Sequence, residues 1–130
     1  MNPYLVAGGA GTLLQRWDRL GLAVRCGYDT RGPALLHHYL LLSQRVLQLG
    51  LVDEVPCLQR TLRLLLQTAG DAALPVCWRR ACLAHANGPV FRLQEALALH
   101  DPPAAAAWVA AVQHAHQVLR LGTREPGARP

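Results

Sequence analysis

A chain of 130 residues, 52% of them apolar, is long enough for one domain with a single core, since a protein of this size buries about two-thirds of its unfolded surface. Its net charge of +5 comes from thirteen Arg set against eight Asp and Glu, with no Lys and no Ile anywhere. With so much Ala, Leu and Pro, those two absences are what a very GC-rich coding sequence produces, so the arginine excess is weak evidence for nucleic acid.

Segment 1–11 contains Gly8, Gly9 and Gly11 and lacks the basic region and long apolar run of a secretory signal. It is expected to be a flexible lead-in. Thr12 then offers an N-cap and Gln15 the reciprocal half of a capping box, T-L-L-Q. The first helix is expected to run from there to about Arg25, burying Leu13, Trp17, Leu20 and Val24. After a loop from Cys26 through Gly32, Pro33 suits the first position of a second helix over 33–49. Leu35, Leu36, Tyr39, Leu40, Leu41, Leu42, Val46, Leu47 and Leu49 leave that helix only a thin polar strip. A helix apolar nearly all round is buried on more than one side, so it is either the centre of the fold or covered by a partner. His37, His38, Gln44, Arg45 and Gln48 make it too polar to span a membrane.

Gly50 ends the second helix. Asp53 and Pro56 open a third, with Leu58, Leu62, Leu65 and Leu66 inward and Arg60 and Arg63 outward. Gly70 and Asp71 mark the next break. A fourth helix is expected over 74–86, a chain reversal at Asn87 and Gly88, and a fifth helix over 90–99. Asp101 caps a sixth helix that carries Pro102 and Pro103 in its first turn and reaches Leu121 and Gly122. Residues 123–130 are expected to form a disordered tail, leaving 12–122 as one domain. No alternating strand pattern occurs, so the fold is expected to be all-α, with about six helices.

One spacing occurs twice. Trp78, Ala81, Cys82 and His85 stand at i, i+3, i+4 and i+7, and Trp108, Ala111, Val112 and Ala115 repeat it with small or apolar residues. Between them lies an apolar helix closed by His100, Asp101, Pro102 and Pro103. Such stacked helical hairpins bury their apolar faces only against neighbours. The stretch LQEALALHDPPAAAAW resembles the join between two tetratricopeptide repeats, with Pro102 ahead of the bulky Trp108 at the repeat's spacing. The repeat starting at Trp78 is several residues shorter than the roughly 34 of a full one. Shortened repeats in a small chain resemble the chaperone that holds the needle subunit of bacterial type III secretion. Trp78 with Cys82, Gly88 with Arg92 and Leu93, Asp101 with Pro102, and Trp108 carry that similarity.

The resemblance implies degenerate TPR-like hairpins and a cytoplasmic chaperone that prevents premature polymerisation of the needle subunit. It also implies an apolar groove for the subunit's amphipathic helix, with a small helical co-chaperone as a further partner. Carried over position by position, the groove presents Val76, Arg79, Leu83 and Ala86 on the fourth helix and Ala106, Val109 and Gln113 on the sixth. Leu41 and Arg45 on the second helix complete the set.

Other chemistries have thinner signals. Cys82 and His85 are one turn apart, but Cys77 and Cys82 lie about 140° apart around a helix and do not converge on a metal. Four Cys in or beside apolar helices lack the framework of a secreted disulfide scaffold and are expected to be reduced. No carboxylate accompanies a Cys/His pair in any local motif, and the Gly8–Thr12 stretch lacks the Gly-Lys-Ser/Thr ending of a phosphate loop, so neither an enzyme nor a cofactor is expected. The alternatives to a chaperone are a generic helical interaction scaffold, or a nucleic-acid-binding domain with a ridge of Arg16, Arg19, Arg60, Arg63, Arg79 and Arg80.

Overall fold

The computed structural model describes the backbone of residues 3–128 and the side chains of 11–122. The chain is all-α, with six helices and no strand among the described residues: α1 Pro3–Cys26, α2 Ala34–Gln48, α3 Glu54–Ala69, α4 Val76–Ala84, α5 Asn87–Leu97 and α6 Pro102–Ala128.

The first two helices end by the same device. The N–H of Tyr28 bonds the carbonyl of Ala23 and that of Gly27 bonds Val24; likewise Leu51 bonds Val46 and Gly50 bonds Leu47. Both stops need a left-handed residue, supplied by Gly27 at φ 63° and Gly50 at φ 68°. At the start of α6 the carboxylate of Asp101 accepts the N–H of Ala104 at 3.2 Å, the cap expected from the Asp-Pro-Pro sequence.

Among the described residues α3 is the hub, packing against all five other helices, while α2 leans mainly on α1 and α3. The second helix is therefore not the centre of the fold. The expected inward positions hold: Trp17 and Val24 on α1 and Leu58, Leu62 and Leu65 on α3 are buried. A polar link crosses this core, where the Trp17 indole N–H donates to Ser43 Oγ at 2.7 Å and that hydroxyl donates to the Tyr39 carbonyl at 3.0 Å. Outside it, the Arg60 guanidinium lies 4.3 Å from the centre of the Trp17 ring and pairs with Asp18.

Three expectations change. α1 begins at Pro3 and includes the glycines of 1–11, so Thr12 sits within a helix instead of capping one; of the segment expected to be a flexible lead-in, residues 3–11 are helical and 1–2 lie outside the described ones. α6 continues past Gly122 to Ala128, through most of the segment expected to be a disordered tail, and residues 129–130 lie outside the described ones. Asn87 and Gly88 do not reverse the chain. His85 and Ala86 keep right-handed helical dihedrals, with φ of −81° and −76°, so α4 runs on into α5 as a bent rod. The two halves of this rod do not fold back on each other; both lie along α3, and α6 packs on both. Trp78 is buried in the first turn of α4. Its indole N–H reaches the carbonyl of Val24 at the end of α1, 3.0 Å away.

Candidate binding groove

Because α2 and the α4–α5 rod both lie on α3 with little packing between them, a groove of about 500 Å³ opens along the gap. One wall is a single face of α2, formed by His37, Leu40, Leu41, Gln44 and Leu47, the i, i+3, i+4, i+7 spacing that stacks side chains on one side of a helix. Cys57, Leu58 and Thr61 of α3 form the floor. The opposite wall is the bend of the rod, with Ala84, His85, Gly88, Pro89 and Arg92. At one point the walls meet: the His37 and His85 rings stand edge to face, centroids 5.4 Å apart.

Leu41 is 64% exposed in the middle of its wall. The floor is polar in two places. Burial pushes the Cys57 thiol up, the Thr61 hydroxyl and then Arg92 and Arg60 pull the other way, and its sulfur lies 3.8 Å from the Ser43 carbonyl. The Thr61 hydroxyl is buried beside the Tyr39 hydroxyl and the Cys57 thiol. At the rim Arg92 pairs with Glu54 at 3.2 Å.

Of the nine groove positions expected from the repeat geometry, the structure brings only Leu41 to this site. Arg45 is exposed on α2 but outside the lining. Val76 is 39% exposed at the start of α4, and Arg79 is half-buried with Nε donating to the Ala69 carbonyl at 2.8 Å. Leu83 and Ala86 are core residues, 2% and 0% exposed, which corrects their assignment to a groove. The reason is that α4 is sandwiched: Trp78 and Cys82 are buried on one side, while Leu83 faces His116 and Leu119 of α6 on the other. Ala106 and Gln113 are exposed and Val109 half-buried on α6, away from the groove.

Several arginines of the supposed basic ridge have structural partners. Arg60 pairs with Asp18, Arg63 lies 5.6 Å from the centre of the Trp108 ring, and Arg79 bonds backbone. Among the described residues no three His, Cys, Asp or Glu side chains gather in a metal-ligand cluster, and no helix is long and apolar enough to cross a membrane. No protein family, curated protein or solved structure matches the chain.

Proposed function

We propose that this chain is a binding scaffold of chaperone type, which holds an amphipathic helix of a partner protein in the groove between α2 and the α4–α5 rod. The observation that carries it is the wall of α2, where Leu40, Leu41 and Leu47 line an open groove beside an equally open rod. The lining of α2 spans 37–47, which at 1.5 Å per residue is roughly 15 Å, the length of about three helical turns. A helix laid there fills the gap between two helices that already share α3 as a floor, the helix-in-groove mode of recognition.

The similarity of 78–108 to needle-subunit chaperones supplies the first occupant to try, the amphipathic C-terminal helix of a type III secretion needle subunit. The test is co-expression of the full chain with such a subunit. Wild-type protein is expected to retain it in soluble form, and Leu41→Glu to release it while remaining helical by circular dichroism. Retention by Leu41→Glu as strong as by wild type places the binding surface elsewhere.

A further inference from the structure

The lining of the groove also has a sign. Its ionisable side chains are His37, His85 and Arg92, besides the Cys57 thiol, and no carboxylate is among them. Cys57, on the floor, feels the positive charge of Arg92 and Arg60. Glu54 pairs with Arg92 through one nitrogen, Nη2, which leaves most of the five N–H donors of that guanidinium to other acceptors. Elsewhere the carboxylates of Asp18, Asp29 and Asp71 are each held by an arginine.

Resting on the helix-binding function above, we propose that the occupant is an acidic amphipathic helix, about three turns long. Its apolar stripe lies against Leu40, Leu41 and Leu58, and its Asp or Glu side chains flank that stripe on the side of Arg92 and His85. A helix with Lys or Arg in the same places sets like charge against Arg92, and the Glu54 carboxylate at that rim is already paired with this arginine. The apolar stripe then supplies affinity and the rim supplies choice of partner.

The experiment uses the full chain and two fluorescent peptides of equal length, each with the same leucine stripe, one flanked by Glu and one by Lys. Fluorescence polarisation at pH 7.5 and 50 mM salt is expected to show the Glu peptide binding about tenfold more tightly. At 0.5 M salt the preference is expected to shrink below about twofold while binding persists, because exposed charges are screened and apolar contact is not. Arg92→Gln is expected to remove the preference and keep the binding, and Leu41→Glu to remove both. Equal affinities at low salt, or tighter binding of the Lys peptide, overturn the acidic assignment and leave the groove standing. Failure of both peptides, or displacement of the Glu peptide by unlabelled chain through self-association, overturns the groove function and the assignment with it.

Discussion

The indole nitrogen of Trp78 donates to the backbone carbonyl of Val24, tying the first turn of α4 to the last turn of α1 across 3.0 Å. These helices are far apart in the chain and pack together little, so this side chain joins the two halves of the fold. Trp78 is buried, and Trp78→Ala is expected to cost about 3–5 kcal/mol in urea denaturation. Against a total stability of about 5–15 kcal/mol, that loss leaves the domain marginal. Trp78→Phe keeps most of the volume and loses the hydrogen bond, a cost of about 1 kcal/mol, because the Val24 carbonyl still accepts from Gly27 at 3.1 Å. Equal stabilities for the two variants would show that the hydrogen bond, not the packing, carries the join.

Leu83 and Leu41 separate core from surface. Leu83 is 2% exposed, and a carboxylate there replaces a core side chain, with Arg80, His116 and Arg120 lining the adjoining gap to offset part of the cost, so Leu83→Glu is expected to lose about 1–3 kcal/mol and melt below wild type. Leu41→Glu places its charge on an exposed wall and is expected to keep the wild-type melting temperature within a few degrees. Thermal melts followed by circular dichroism decide both.

The four cysteines are expected to divide two and two. Cys82 is buried and its thiol is pushed up to about 12 by loss of solvent, and Cys57 is shifted in the same direction for the same reason. Thiolate is the reactive form, so a thiol reagent at pH 8 is expected to label Cys26 and Cys77 within minutes and the other two only after unfolding. Four fast thiols in the native protein would place Cys57 and Cys82 outside the core.

Asp71 makes stability depend on acid. Its hydrogen bond from Arg25, then that from the Ala73 N–H, holds its carboxyl below the usual value of 3.8. Because the folded value lies below the unfolded one, this contribution is complete above the unfolded value and fades as pH falls through the folded value. Wild type is therefore expected to melt above Asp71→Asn at pH 6, with the gap closing below about pH 4. A gap that stays constant from pH 6 to pH 2.5 would remove the Asp71 carboxylate from the account.

Helix number, the inward faces of α1 and α3 and the cap at Asp101 were legible because each follows from local spacing or local chemistry. Trp17 and Val24 are two helical turns apart and cannot avoid sharing a face. Asn87 and Gly88 misled for a local reason too: both tolerate left-handed dihedrals, but neither adopts one, and the packing of both halves of the rod on α3 decides the path. The core hydroxyls were hidden because Ser43 and Thr68 return their hydrogen bonds to the carbonyl one turn back, at 3.0 and 2.7 Å, and so pass for apolar residues. The groove depends on two helices that barely touch. Helix two announced its excess of leucine, and Leu41 was within reach of sequence, but His85 and Arg92 face it only through the bend.

The tryptophans mark three separate junctions: Trp17 is bonded to Ser43 between α1 and α2, Trp78 spans α4 to α1, and Trp108 of α6 lies beneath Arg63 of α3. The chain holds three Trp in all, so each of these seams carries its own fluorophore and none is duplicated. Retaining one indole at a time, with phenylalanine in place of the others, turns ordinary emission spectra into a record of which seam parts first on heating. The same three signals would report whether an occupant beside α2 tightens the nearest seam alone or all of them together.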